Sequence, residues 1–331
     1  MSKSYHVVLT DFIVDALEPE RKILGDLAEV TALGTHGEEE LAGRVEQADA
    51  LVVFHEVSIT RPTIERLQRC RVIARAGVGY DNVDYRFARE RGIPVVNVPD
   101  YGSGEVADTA IGMMLTLARG VHVMNSRLRE RRGPWLYQQV VPLARLSGRG
   151  FGVVGLGRIG TATALRAKAL AMDVLFYDPY KPDGYDKALG IRRVETLDEL
   201  LAQSLVVSLH CPLSDETRRM IDAAAIARMP SGSYLVNTAR GAIVDTRAIP
   251  AALASGQLAG AAIDVLPAEP PADDDPLLAA WRDPRHAAYD RLIVNPHAAF
   301  YSEEGLLEMR TKGAEACRRA ILGLPLRNVV N

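Results

Sequence analysis

Cysteine is scarce in this chain. Only Cys70, Cys211 and Cys317 occur among 331 residues, and no two stand in a CxxC pair. A disulfide framework is therefore excluded, and the sparse, odd count fits a reducing compartment. Long apolar runs are missing too, since nothing approaches the ~20 residues of a membrane span. The start, Met1-Ser2-Lys3-Ser4-Tyr5-His6, leads into Val7-Val8-Leu9 without a signal-peptide core. The expected location is the cytoplasm, with no membrane partner. An excess of one charge is also absent. The 39 basic and 42 acidic residues leave a formal net charge of −3, which gives no global attraction for nucleic acid or anionic lipid. Asp273-Asp274-Asp275 has no His or Glu converging on it by spacing, so it reads as a solvated turn and no metal is expected.

What is present is length and alternation. The chain is long enough for about two domains. Apolar runs at Tyr5–Leu9, Glu29–Leu33, Ala50–Phe54, Val72–Arg75 and Val95–Val98 predict strands. Helical patterns at Glu38–Ala48, Thr63–Arg69 and Val83–Arg91 lie between them. Near Tyr101 the texture changes to a long helix, Ser103–Arg119, with Ser103 or Asp100 as its cap. The basic run Arg127–Arg132, broken by Glu130, reads as a solvated face or a dimer rim and not as a nucleic-acid site. A second strand series follows at Gly150–Gly155, Asp173–Asp178, Leu205–His210, Ser233–Thr238, Gly260–Val265 and Leu292–Asn295, and the helix Ser302–Leu322 closes the pattern. The fold class is α/β, with two doubly wound parallel-sheet domains.

Gly155-Leu156-Gly157-Arg158-Ile159-Gly160 follows the strand Phe151–Val154 and opens the Ala-rich helix Ile159–Ala171. In that setting Gly155 makes the tight turn, Gly157 admits a pyrophosphate and Gly160 lets helix meet strand. The free N–H groups of Arg158 and Ile159 face the phosphates. Eighteen residues after Gly160, Tyr177-Asp178 ends the next strand, where an acid accepts from the ribose hydroxyls of NAD and repels the extra phosphate of NADP. The expected cofactor is NAD.

Ligands in doubly wound sheets lie outside the carboxyl ends of the strands. Those ends carry His210-Cys211-Pro212, Thr238-Ala239-Arg240, Asp264 and Asn295-Pro296-His297. Of these, His210, Cys211, Pro212, Thr238, Ala239, Asp264 and His297 are expected to line the cofactor. Arg240, Glu269 and His297 suit hydride transfer on a 2-hydroxy or 2-keto acid. Arginine matches a carboxylate with a planar fork. Histidine exchanges a proton with the substrate oxygen near neutral pH. A neighbouring Glu orients it and favours the imidazolium.

With these segments, Arg75 to Asp84, Asn237 to Gly241, Asp264 to Pro270 and Pro296 to Ala299, the sequence resembles the NAD-dependent D-2-hydroxyacid dehydrogenases. The resemblance implies a discontinuous, flavodoxin-like substrate domain, residues 1–101 and 300–331. A Rossmann NAD domain, residues 102–299, is inserted into it, and a homodimer forms through the nucleotide domains. It implies that Arg240 binds substrate, His297 is the acid/base and Glu269 its partner. Asp264 is implied to hold the nicotinamide carboxamide. Gly77-Val78-Gly79 is implied to bind the substrate carboxylate through backbone N–H groups, a role glycine suits by permitting a concave backbone.

Phe176 to Tyr180, Ser208 to Pro212, His297 to Glu303 and Cys317 to Val330 resemble the C-terminal-binding-protein branch of that family. His55 matches a pocket histidine there, or is a buried surface histidine. Phe300 stands where that branch carries Trp, which leaves side-chain specificity open. Arg75 either meets an anionic substrate tail or is a strand-end arginine. Leu205 replaces a common acidic residue and reads as structural. Two functions follow: a dehydrogenase of a small 2-hydroxy acid, or an NAD-sensing co-repressor-like scaffold binding partner peptides. Formate is disfavoured because formate enzymes carry Gln where this chain has Glu269. The regulatory domain of long phosphoglycerate enzymes is expected to be absent.

Overall fold

The computed structural model describes residues 4–331. The chain forms two compact units. One holds the N-terminal stretch as far as Gly102 together with Tyr301–Asn331, and the other is Ser103–Phe300.

The first unit contains β1 (Tyr5–Leu9), β2 (Ala28–Ala32), β3 (Ala50–Val53), β4 (Ile73–Arg75) and β5 (Val95–Asn97), in the order β2-β1-β3-β4-β5 and wholly parallel. This is the flavodoxin-like order. Successive side chains of a strand face opposite ways. Accordingly Val8, Leu51, Val53, Ile73 and Val95 enter one core with Ile59, Ile64 and Phe87. The other face receives the helix Glu303–Ile321, which packs on β3 and β4. Gly313 faces this sheet at close range: a Cβ there would lie in ordinary van der Waals contact, 3.5 Å from Val52. The chain's last residues run beside β5, with Val330 N–H donating to Val95 O (2.9 Å). Arg310, 7% exposed at its side chain, binds Glu20 (2.7 Å, 1% exposed) and Asp15 (2.6 Å). That trio ties the last helix to the helix Glu18–Leu24.

The second unit contains β6 (Gly150–Val154), β7 (Asp173–Tyr177), β8 (Arg192–Arg193), β9 (Val206–Leu209), β10 (Ser233–Asn237), β11 (Leu258–Ile263) and β12 (Leu292–Val294). Their order is β12-β11-β10-β9-β6-β7-β8, again parallel. Phe151, Val153, Val206, Tyr234 and Val236 enter one core, with the helices Ser103–Ala118 and Arg158–Ala169. Val154, Val207, Leu209, Leu235 and Ile263 enter the core on the opposite face. Leu205 is buried, and its N–H donates to Gly150 O. Both faces are covered, which explains apolar runs without alternation.

Three expectations need correction. Glu38–Ala48 is not a helix but a single 3-10 turn, Glu38–Leu41. Gly43 there takes a left-handed φ of 78°, and the Glu46 carboxylate accepts the N–H groups of Gly43 and Val45, bonds that compete with a helix. The second sheet has a seventh strand, β8, whose Arg-Arg sequence carries no apolar signal. Asp100 does not cap the long helix; it pairs with Lys312 (2.8 Å). The acidic triplet keeps a structural task, because Asp275 accepts N–H bonds from Leu277 and Leu278 and caps the helix Pro276–Arg282. Among the described residues no helix is long and apolar enough to cross a membrane.

Candidate active site

In the second sheet the strand order reverses at β6, between β7 and β9. Such a reversal opens a crevice at the carboxyl ends of the strands. The turn after β6 carries the three glycines. At Gly155, φ is 88°, and a Cβ would lie 2.7 Å from the backbone nitrogen of Cys211. The turns after β6 and β9 therefore touch through backbone. A Cβ at Gly160 would strike Gly155 O at 2.0 Å, whereas at Gly157 it would meet nothing within 4 Å. Two glycines are thus required by packing, and the middle one faces open space. Arg158–Ala169 starts there, and its first-turn N–H groups lack intrahelical acceptors.

Asp178 follows β7. Its carboxylate accepts from Leu156 N–H (2.8 Å) and Tyr180 N–H (3.0 Å). A carboxylate has about four acceptor positions, so capacity remains for ribose hydroxyls, and the group is tied to the glycine turn. Tyr177 closes β7 and packs against the adjoining core. After β9, His210 is half-buried. Its Nε2 lies 2.8 Å from Ser208 Oγ, while Nδ1 has no hydrogen-bond partner. Burial pushes its pKa down to about 3, so the ring is neutral at physiological pH. Burial likewise pushes the Cys211 thiol up to about 12. That thiol is no nucleophile. Thr238 Oγ1, after β10, is also buried without a partner. An open glycine at a helix N-terminus, a strand-end carboxylate and two unsatisfied buried polar atoms fit a dinucleotide.

The next three strand ends carry the polar side chains. Asn237 shapes the turn after β10: its Oδ1 accepts from Ala239 N–H (3.0 Å) and its Nδ2 donates to Arg240 O (2.9 Å). Arg240 Nη1 donates to Ala239 O (2.8 Å). Gly241 then packs on the backbone of Leu266 and Pro267, where a Cβ would lie 1.9 Å from the Leu266 carbonyl carbon. The Arg240 turn and the turn after β11 are therefore in direct backbone contact. Leu266 N–H donates to Glu269 Oε1 (2.7 Å), and Glu269 Oε2 lies 2.7 Å from His297 Nδ1. The carboxylate holds the Nδ1 edge of the imidazole and so fixes the orientation of the ring.

His297 follows β12 with a left-handed φ of 52°, uncommon for a non-glycine residue. Asp264 holds it there. His297 N–H donates to Asp264 O (2.7 Å), and the Asp264 carboxylate accepts from Ala298 N–H (3.0 Å) and Ala299 N–H (3.1 Å). Burial raises the Asp264 carboxyl above its ordinary value, against those N–H bonds. Phe300 packs edge-on to the His297 ring, centroids 6.1 Å apart.

In the first unit the turn after β4 carries Gly77-Val78-Gly79. Gly77 has a φ of 149°, and a Cβ there would overlap the Arg75 guanidinium. Val98 N–H donates to Gly77 O, and Asn97 Nδ2 donates to Val78 O (2.7 Å). With these carbonyls held from one side, the turn is fixed. Arg75 is 6% exposed. It donates to Ala76 O (2.8 Å) and to Asn82 Oδ1 (3.3 Å). His55, half-buried after β3, packs with its ring tilted against that of Phe12. Sequence reasoning overlooked Asn237, Gly241 and Asn82 as organisers of these turns. Their signal was their place inside quoted motifs.

The NAD binding domain of the D-isomer specific 2-hydroxyacid dehydrogenases matches residues 111–299. D-3-phosphoglycerate dehydrogenase of Methanocaldococcus jannaschii is 38% identical over 310 residues, 94% of this chain and 57% of that protein. The chain spans about half the length of the curated relatives it matches. Among solved structures, D-lactate dehydrogenase from Aquifex aeolicus, complexed with NAD and lactic acid, has a TM-score of 0.84 at 28% identity, covering 96% of each chain. A glyoxylate reductase from Paecilomyes thermophila has a TM-score of 0.85 at 29% identity, covering 100% of this chain and 99% of that one. The domain match takes in more than half of the residues, and the chain belongs to the D-isomer specific 2-hydroxyacid dehydrogenase family.

Proposed function

We propose that this protein is an NAD-dependent D-2-hydroxyacid dehydrogenase that interconverts a small 2-keto acid and its 2-hydroxy acid. The observation that carries this reading is the 2.7 Å His297–Glu269 pair on the strand edge that bears the glycine turn. In the reductive direction bound NADH supplies the hydride. His297 Nε2 gives its proton to the substrate oxygen as the carbonyl becomes an alcohol. Glu269 accepts from Nδ1 and keeps the ring oriented while the charge changes. Arg240 offers a planar fork to the carboxylate and carbonyl. The N–H groups of Gly77–Gly79 receive the substrate carboxylate. Asp178 selects NAD, and Gly155, Gly157, Arg158, Ile159 and Gly160 hold the pyrophosphate.

Arg75, Tyr177, His210, Cys211, Pro212, Thr238, Ala239 and Phe300 remain assigned to the walls of these sites. Exposed apolar side chains on the second unit, Trp135 (85% exposed), Leu136, Tyr137 and Val141, support a homodimer through that unit. Scarce cysteine supports the cytoplasm. The scaffold reading gains nothing from the relatives above, which are named for enzymes.

The test is NADH and NADPH oxidation against glyoxylate, hydroxypyruvate, pyruvate, phenylpyruvate, 2-ketoglutarate and phosphohydroxypyruvate. One member is expected to reach a kcat/KM of about 10⁴ M⁻¹s⁻¹ or more. Absence of turnover across the panel, with NADH bound, overturns the reading.

A further inference from the structure

The short strand β8 does more than extend the second sheet. Its Arg193 side chain, only 20% exposed, donates to Lys181 O (2.9 Å) and pairs with Asp183 (3.5 Å) and Glu195 (3.2 Å). Lys181 belongs to the loop that leaves β7, so β8 holds that loop from its outer side. From its inner side, Tyr180 N–H donates to Asp178 Oδ1 (3.0 Å). The stretch Asp178–Lys181 is thus fixed at both ends.

The loop that leaves β9 is a tight turn of its own. Thr217 Oγ1 donates to Pro212 O (2.7 Å) and accepts from Ser214 N–H (2.8 Å), while Arg218 N–H donates to Ser214 O (3.0 Å). Glu216 stands on that turn, exposed. Because β6 lies between β7 and β9, the two loops flank the glycine turn. Strands two places apart are separated by about 10 Å, a gap that short side chains do not cross. Tyr180 and Glu216 do cross it: the Tyr180 hydroxyl donates to the Glu216 carboxylate. That carboxylate holds the Tyr180 phenol above its ordinary value, so the donor keeps its proton. The Tyr180 side chain is otherwise open, with the residue 75% exposed.

We propose that the Tyr180–Glu216 bond is a clasp across the outer end of the cofactor crevice, and that it slows the departure of the dinucleotide by holding its adenosine half. The proposal rests on the cofactor reading above. With the pyrophosphate at the glycine turn and the ribose at Asp178, the base extends toward these two loops. Tyr180 offers it an aromatic face, a contact open to any base. Glu216 is a positioning residue that steadies the ring through its hydroxyl, and Arg193 is a second that steadies the loop. Both partners of the bond are exposed, so it opens and re-forms without disturbing either core.

The experiment measures NADH release by stopped-flow fluorescence and NADH affinity by titration in wild type, Tyr180→Phe, Glu216→Ala, their double variant, Glu216→Gln and Tyr180→Ala. Reduced nicotinamide mononucleotide, which lacks the adenosine half, is titrated alongside. Tyr180→Phe and Glu216→Ala are each expected to speed release and raise Kd for NADH by about fivefold, the worth of one hydrogen bond. The double variant should lose no more than either single one, because one bond is shared. Glu216→Gln keeps an acceptor for the hydroxyl and should stay near wild type. Tyr180→Ala also removes the ring, and about tenfold or more is expected. The mononucleotide should bind all of them alike. Unchanged NADH release in Tyr180→Phe and Glu216→Ala overturns the proposal, and so do additive losses in the double variant. An equal loss of the mononucleotide marks a merely structural role and overturns it too. Wild type that binds no NADH refutes the cofactor reading itself, and this proposal with it.

Discussion

Gly241→Ala tests whether the turns after β10 and β11 act as one body. A Cβ at position 241 would lie 1.9 Å from the Leu266 carbonyl carbon and 2.4 Å from Pro267 N. Both are backbone atoms, so neither can swing aside. Restoring contact at ordinary separation requires the turns to part by about 1.5 Å. The shift reaches the chemistry directly, because Leu266 N–H holds the Glu269 carboxylate and Glu269 holds His297. A displacement of about 1 Å costs about 100-fold in rate. Gly241→Ala is therefore expected to lower kcat/KM for the best keto acid by about 100-fold or more. NADH affinity, followed by fluorescence titration, should change little, since the glycine turn follows β6, two strands from β10. The usual effect of Gly→Ala at a tolerant backbone has the opposite sign, stabilising by about 0.4–1 kcal/mol. A variant with wild-type kcat/KM would show that the turns move independently, and would refute the argument.

Other substitutions probe single contacts. His297→Ala is expected to reduce turnover by about 10²–10⁴, the usual contribution of a general acid, and near-wild-type turnover removes the assignment. Arg240→Lys should raise KM for the keto acid and spare NADH binding, because a point charge does not replace a planar fork; unchanged kcat/KM takes Arg240 out of the site. Asp178→Ala should raise NADPH use relative to NADH, and an unchanged cofactor ratio places the selector elsewhere. Arg310→Met strands Glu20, a buried carboxylate, and should cost about 3–5 kcal/mol in denaturant unfolding; a loss below about 1 kcal/mol contradicts the buried ion trio. The Arg310 hydrogen bond holds the Asp15 carboxyl below its ordinary 3.8. The stability it lends is complete above that value and drains away as pH falls toward the lower folded value. Acid titration of wild type should show this decline below about pH 3.8, and Arg310→Met should lack it.

Much of this architecture was legible because its signals are local. Among the described residues, eleven of the twelve strands coincide with apolar runs, since a strand buried on both faces needs only Val, Ile, Leu and Ala. The twelfth, Arg192–Arg193, owes its pairing entirely to β7 and had no pattern of its own. The false helix at Glu38–Ala48 arose because helical spacing says nothing of Glu46, whose side chain captures backbone N–H groups. The glycine turn was legible in the tight packing of Gly155 and Gly160 and in the open space at Gly157. The pairing of Glu269 with His297, 28 residues apart, followed from chemistry and not from spacing. The supports were less visible. Asp264 was expected at the cofactor, yet its carboxylate also fixes the backbone after His297. Asp11, which grips the turn after β3, is a single acid behind an apolar strand, and its three N–H donors there, Phe54, Glu56 and Val57, lie 43 to 46 residues away.

The interrupted first unit has a consequence for synthesis. Its sheet is finished once β5 has been made, but the helix that covers one face comes only at Glu303–Ile321. About 200 residues must be translated in between, some 10–40 s at ribosomal rates of about 5–20 residues per second. Throughout that interval Val52 lacks its covering helix, and Glu20 lacks the arginine that neutralises it. Ser103–Phe300 is continuous in sequence and can complete its own two cores first. The nascent chain thus carries an uncovered apolar sheet face until its final helix emerges. That interval is when aggregation or chaperone capture should be greatest, and folded epitopes of the first unit should be the last to appear on stalled ribosomes.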